Sequence, residues 1–176
     1  MKRIVLFSFI VLLVLTFVSP VIALEAGTSA AIKISYTQTD QRIIKLQSYL
    51  ESHNSPLADY AEVFIDTSDK YGLFDCKLVP AITGVESTFG KAIPYNSYNA
   101  YGWVNGNYAF ESWEESIDIV TKTLKTKYMD RGLDSVDKIA PVYAPPSTTW
   151  AGKVKFFMEK IENYLPEHTR ELSITL

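Results

Sequence analysis

The sequence predicts a mainly α-helical domain with a small β-hairpin lobe. Three observations lead there. Apolar residues recur at helical spacing in several segments separated by proline, glycine and asparagine. Residues 91–110 break that rhythm with Pro94, Asn96, Asn99, Gly102 and Gly106 set among aromatic rings. Between the two textures stands Glu86, where an apolar helix is about to end. The chain has 176 residues, 47% apolar and 13% aromatic, which is ample for one such core and excludes disorder throughout.

Residues 1–23 read as a secretory signal, with Lys2 and Arg3, an apolar run over 4–18, then Pro20 and Val21-Ile22-Ala23. Left uncut, residues 4–24 are nearly long enough to span a bilayer, so contact with a membrane is expected only without cleavage. Cleavage after Ala23 removes two cations and no acids, moving the formal charge from −3 to −5. Nucleic acid is therefore not an expected partner, because it calls for a basic surface. Residues 24–38 are small and polar without a period and read as a linker, 39–165 hold the periodic segments, and 166–176 read as a loose tail. The expected product is an exported monomer.

Thr39 or Asp40 caps a first helix running to about Ser52, with Ile43, Leu46 and Leu50 on one face. Ser55 and Pro56 open a second, striped by Leu57, Ala61, Phe64 and Ile65 and ended by Gly72. Asp75 caps a third, whose first turn contains Pro80. Ile82, Val85 and Phe89 share its buried face, and Gly90 supplies a left-handed end. Glu86 is then either a solvated last-turn residue or a carboxylate held at the rim of a core. Partial withdrawal from water favours the protonated form of a carboxyl group, which is what a general acid near neutral pH requires.

Asn105-Gly106 is the pair favoured in a two-residue type I′ turn, and residues 101–104 and 107–110 flank it as a hairpin. Seven aromatic residues fall within the nineteen positions 95–113. Flat rings suit the faces of sugars, and a small β-lobe also needs rings for its own core; both readings stand. Ser112 and Glu115 form a capping box for a fourth helix with Trp113, Ile117, Val120 and Leu124 inward, ending before Gly132. A short helix over 135–140 should be cut off by Pro141, leaving 142–146 extended. Thr148 or Thr149 starts a last helix with Trp150, Val154, Phe157 and Ile161 inward.

Several chemistries are disfavoured. Cys76 is the single cysteine, so no internal disulfide forms, and it reads as a small buried hydrophobe. The only histidines are His53, which reads as a surface residue, and His168 in the tail. No metal site is expected from that set, and a serine or cysteine protease would lack its base. Without a glycine-rich phosphate loop or dinucleotide fingerprint, no cofactor is expected either.

Three motifs in order carry a resemblance over about residues 40–165. Glu86-Ser87-Thr88-Phe89-Gly90 fits E-S-x-[FY]-G, and Asn99-Ala100-Tyr101-Gly102-Trp103 fits N-x-[FWY]-G-[IW]. Tyr143-Ala144 with Trp150-Ala151-Gly152-Lys153-Val154 fits Y-A-x5-[YW]-A-x-K-[IV]. The chain thereby resembles the lysozyme superfamily, and within it the bacterial mannosyl-glycoprotein endo-β-N-acetylglucosaminidase-like domains that act on peptidoglycan. It is more distantly similar to soluble lytic transglycosylases. Val104 stands where the glucosaminidases commonly place a lysine.

The resemblance implies a lysozyme-like α+β fold, peptidoglycan glycan strands as partner, and cleavage of β-1,4 bonds between N-acetylated amino sugars. Glu86 would be the general acid, with Tyr143 in the cleft near it. Ser87, Asn99, Tyr101, Trp103 and Glu111 are the expected substrate-binding residues. Most glycosidases need a second carboxylate, and Glu111 is the best remaining candidate because Glu115 is engaged in capping. The resembled families often manage with one glutamate, the substrate's acetamido group acting as nucleophile or a muramic hydroxyl closing to an anhydro-sugar. A binding module that keeps the cleft without turnover is the contrasting reading. The leader makes the first prediction: N-terminal sequencing of the native exported protein will start at or next to Leu24, whereas Met1 on a membrane-extracted protein would establish an uncleaved anchor.

Overall fold

Local side-chain chemistry sets the helix ends in the computed structural model, which describes residues 40–166. The predicted signal, the linker and the tail after Pro166, His168 included, lie outside the described residues. Asp40 caps α1 (Gln41–Ser52), its carboxylate accepting from the Arg42 N–H at 2.8 Å. Ser55 accepts from the Leu57 N–H at 3.0 Å, and a short 3₁₀ turn, Ala58–Tyr60, leads into α2 (Ala61–Tyr71), which ends at Gly72 with φ 67°. Asp75 accepts from the Lys77 N–H at 2.8 Å just ahead of α3 (Leu78–Ser87). Ser112 caps α4 (Trp113–Thr123), accepting from the Glu115 N–H at 3.1 Å, while the Glu115 carboxylate accepts from the Glu111 N–H. Ser135 caps α5 (Val136–Tyr143), and α6 (Trp150–Glu162) closes the set, its first N–H bonded to the Ser147 hydroxyl at 3.2 Å.

The fold is mainly α, and α3 is its centre. Leu78, Val79, Pro80, Ala81, Ile82, Thr83, Gly84 and Ser87 are all buried, so this helix is enclosed on nearly every side and not along the single expected face. A helix apolar all round belongs inside a core. It packs against α6 and α4, while α1 packs on α2 and α6, α2 on α4, and α5 on α6. Leu46 and Leu50 of α1, Phe64 and Ile65 of α2, Ile117 and Val120 of α4, and Val154 and Ile161 of α6 complete the interior. Polar ties reinforce the packing, with the Tyr71 hydroxyl on Asp118 at 2.8 Å between α2 and α4, and Lys45 on the Glu162 carbonyl at 2.7 Å between α1 and α6. His53 is half-buried, its ring 4.5 Å from that of Tyr49 and 4.8 Å from that of Phe89, not a free surface residue.

The expected β-hairpin lobe is absent: no strand occurs among the described residues. The turn chemistry was read correctly and the ladder was not. Asn105 (φ 54°) and Gly106 (φ 81°) take the left-handed conformation that a type I′ turn uses, yet Val104 does too (φ 52°), and residues Trp103–Gly106 wind into a tight 3₁₀ coil. Beyond the turn-closing bond from the Asn107 N–H to the Val104 carbonyl at 3.0 Å, the flanking segments bond to a buried side chain and not to each other. The Asn99 amide donates to the Trp103 and Tyr108 carbonyls, both at 2.9 Å, and its carbonyl oxygen accepts from the Trp103 N–H at 2.9 Å. Phe110 N–H to Ser97 carbonyl, at 2.8 Å, closes the base of this loop.

Two other expectations are corrected. Pro141 does not stop α5, which runs on to Tyr143 and is closed by the Ala144 N–H on the Ala140 carbonyl at 3.0 Å. Pro141 is exposed, as is Asp137 four residues earlier, whose carbonyl loses its helical donor on the solvent side. Residues 142–146 are accordingly not one extended run. Nor does Gly90 alone end α3, because the left-handed turn already begins at Thr88.

Two helical glycines give a stability prediction. A Cβ on Gly84 would lie 2.6 Å from the Phe89 ring and 3.0 Å from that of Phe157, whereas one on Gly152 meets nothing within 4 Å. Gly84→Ala is expected to destabilise, since overpacking costs about 1–3 kcal/mol. Gly152→Ala is expected to stabilise by up to about 1 kcal/mol through helix propensity. Thermal unfolding of the two variants should therefore move in opposite directions from the parent.

Candidate functional site

The last turn of α3 is shaped by three successive residues with positive φ: Thr88 at 53°, Phe89 at 58° and Gly90 at 79°. Hydroxyl groups hold the reversal. Ser87 is 3% exposed; its oxygen lies 3.0 Å from the Thr83 carbonyl and 2.9 Å from the Ala100 carbonyl, and accepts from the Gly90 N–H at 2.9 Å. Ser55 donates to the Phe89 carbonyl at 2.8 Å, and the Phe89 N–H reaches back to the Thr83 carbonyl at 2.9 Å. Through Ala100, the Ser87 bond also fastens the end of α3 to the loop that Asn99 organises.

Glu86, two residues before this reversal, is half-buried, and its two carboxylate oxygens face different neighbours. Its Oε1 accepts the Trp150 indole N–H at 2.7 Å. Its Oε2 faces Gly102, where an added Cβ would stand only 3.1 Å away. The backbone of Gly102 is itself left-handed at φ 67°, so both conformation and space call for glycine.

Tyr143 completes the cluster. Its ring stacks on Trp150 with centroids 4.9 Å apart and planes 27° apart, and its hydroxyl donates to the Tyr101 carbonyl at 2.9 Å. Burial, assisted by the Glu86 charge, pushes the Tyr143 phenol well above its ordinary value, so it remains a donor throughout the working pH range. A cavity of about 280 Å³ opens beside the cluster, between residues 101–105 on one wall and Tyr128 and Tyr143 on the other. That is close to the lower limit of ligand pockets, about 300 Å³.

The residues expected from sequence fall into distinct positions. Glu86, Tyr143 and the backbone of Tyr101 come together, and Trp103 is half-buried in the cavity wall. Ser87 and Asn99 are buried at 3% exposure with their polar atoms bonded to backbone, so they shape the site from behind. Glu111 is exposed and contributes its N–H to the capping box; no hydrogen bond among the described residues joins its carboxylate to the Glu86 cluster. Of the seven clustered aromatics, Tyr101, Phe110 and Trp113 are buried, which is the core role, whereas Trp103 faces the cavity and Tyr95 is 93% exposed.

Trp150, Gly102 and Tyr128 were not expected as site residues. Trp150 sat on an inward helical stripe, where its N–H was the one polar handle that needed a partner. Gly102 lay within a quoted motif. Tyr128 had no sequence signal: after Leu124 the chain winds as a π-helix, Leu124–Tyr128, which changes the register of every side chain that follows.

No three histidine, cysteine, aspartate or glutamate residues cluster as metal ligands among the described residues. Cys76 borders a separate hollow of about 260 Å³ with Leu46, Ile65 and Ile161, none of them in the Glu86 cluster. Burial raises its thiol pKa, which makes it a poor nucleophile. Compared with known proteins, the chain matches no family model and no curated protein.

The loop geometry gives a direct test. Asn99→Ala strips partners from the Trp103 N–H and from two carbonyls, each loss costing about 1–3 kcal/mol where the group stays buried. Hydrogen exchange should show the Trp103 amide losing protection, with a lower unfolding midpoint. Unchanged protection would mean the loop is held by something other than this amide.

Proposed function

We propose that the protein is an exported glycan-strand cleaving enzyme with a lysozyme-like arrangement, acting on β-1,4 bonds between N-acetylated amino sugars of peptidoglycan. Glu86 is its general acid. The observation that carries the reading is the half-buried Glu86 carboxylate, held by the Trp150 indole beside an aromatic cavity. A general acid must be fixed within hydrogen-bond reach of the oxygen it protonates, and a fixed carboxyl group next to a ring-sized cavity meets that need.

The other residues take roles that follow from their chemistry. Trp103 offers an apolar face to a pyranose ring, and Tyr143 stands where a neutral hydroxyl can meet the acetamido group or the developing positive charge. No hydrogen bond among the described residues ties the Glu111 carboxylate to this cluster, and the route taken here needs no second carboxylate: the substrate's own acetamido oxygen or hydroxyl attacks the anomeric carbon. Under that route the products carry either reducing amino-sugar ends or anhydro-muramic ends.

The test is digestion of purified peptidoglycan followed by mass spectrometry of the soluble fragments. Parent enzyme should release fragments whose ends identify the bond cut. Glu86→Gln should lower the rate by about 10²- to 10⁴-fold with folding unchanged. Glu111→Gln should lose less than about tenfold, under ~1.4 kcal/mol of transition-state stabilisation, and Tyr143→Phe should lose more. Parent-level digestion by Glu86→Gln would remove the reading's centre, and binding of peptidoglycan without any release by the parent would leave a binding module.

A further inference from the structure

Resting on that reading, we propose that the two oxygens of Glu86 have different duties and that Trp150 is the positioning residue that separates them. The indole holds Oε1, and Oε2, facing the gap left by the missing side chain of Gly102, delivers the proton.

An indole N–H only donates, so the oxygen 2.7 Å from it must present a lone pair. In a protonated carboxyl group the carbonyl oxygen is the better acceptor, and the hydroxyl oxygen is the one left over. With Oε1 taken as acceptor, the acidic hydrogen resides on Oε2. The surroundings of Oε2 agree with this. Any residue other than glycine at position 102 would bring a Cβ to 3.1 Å from Oε2, closing the side on which a leaving oxygen must approach. Stacking against Tyr143 at 4.9 Å, with the Tyr143 hydroxyl anchored on the Tyr101 carbonyl, keeps the indole plane from rotating away.

The step balances as follows. The Oε2–H bond breaks and its proton joins the glycosidic oxygen, which also takes the electron pair of the breaking C1–O bond and leaves as a sugar hydroxyl. The anomeric carbon is taken by the substrate's acetamido oxygen, giving a cyclic oxazolinium ion that water later opens, or by a sugar hydroxyl. In either case the proton lost by the attacking water or hydroxyl returns to the Glu86 carboxylate and restores its acid form. Negative charge spreads over both carboxylate oxygens, and the indole N–H on Oε1 becomes a charge-assisted hydrogen bond, which is stronger than the neutral one it replaces. Trp150 thus assists proton release without touching the substrate.

The pairing is tested by following the indole N–H resonances of ¹⁵N-labelled parent protein and Glu86→Gln across pH, with Trp150 assigned by triple-resonance experiments. In the parent the Trp150 resonance should move as the carboxylate is protonated, and in Glu86→Gln that movement should disappear. Kinetics of Trp150→Phe on peptidoglycan should show kcat lower by about 10- to 100-fold, the scale of a lost hydrogen bond to a charged group, with KM unchanged. A Trp150 resonance indifferent to pH, or identical in the two proteins, overturns the proposal. So does a Trp150→Phe variant that keeps kcat, or one whose loss lies in KM, since that would make the indole a substrate contact. The titration needs no turnover and no Trp150 variant. Its failure is thus distinguishable from that of the glycan-cleaving reading, in which parent protein would release no fragments.

Discussion

The left-handed reversal at Thr88, Phe89 and Gly90 is the constraint on which the rest of the site depends. A non-glycine residue in that conformation costs about 1–2 kcal/mol, and two occur here in succession. Phe89 offsets part of this cost by placing its ring, 1% exposed, against Tyr49, His53 and Phe157 at 4.8–5.6 Å. Full burial of such a ring contributes about 1.5–3 kcal/mol, and each edge-on aromatic pair about 0.5–1.5 kcal/mol more. The core therefore drives the backbone into a strained shape. Ser55 and Ser87 then lock it through the carbonyl and N–H groups that a normal helix end would leave to water. Because the chain turns sharply after Ser87, Glu86 stays at the edge of the interior and is neither buried among the residues of α3 nor released to solvent.

From that point the architecture of the loop follows. Ser87 fastens Ala100, Asn99 next to it gathers the backbone of residues 101–108, and the resulting coil brings Gly102 over the carboxylate. On the opposite side α6 packs on α3 and starts at Trp150, so the residue at its first position reaches Glu86 across 64 positions of sequence. Tyr143, at the end of α5, spans both halves with one stacking contact and one hydrogen bond. Glu86 is thus surrounded by a helix start, a helix end and a loop coil. Each is positioned by its own local rule.

The boundary between what was legible in the sequence and what was not follows range. Asp40 and Ser112 with Glu115 declared their helices because capping is a matter of two or three residues. Glu86 at a helix end was legible for the same reason. The hairpin was misread because Asn105-Gly106 states a dihedral preference and not a pairing, and the buried amide that took over the pairing belongs to Asn99, several residues away. Pro141 was overread as a stop because its cost depends on whether the carbonyl it leaves behind can face water, a property of the folded surface. The Trp150 contact, the enclosure of α3 and the π-helix that turns Tyr128 toward the cavity all arise from packing between distant segments, which no local pattern carries.

The central claim is spatial: a sugar bond must meet the free oxygen of a carboxyl group whose other oxygen is already occupied. A crystal structure of Glu86→Gln with a bound N-acetylglucosamine oligomer tests it most directly. The account predicts sugar rings on either side of Gly102, one of them in the cavity between residues 101–105 and Tyr143, with a glycosidic oxygen within about 3 Å of the side-chain atom of residue 86 that faces Gly102. The Trp150 indole should still bond the other atom. An oligomer seated elsewhere, for instance in the hollow beside Phe156 between α3 and α6, with no glycosidic oxygen within reach of residue 86, would contradict it.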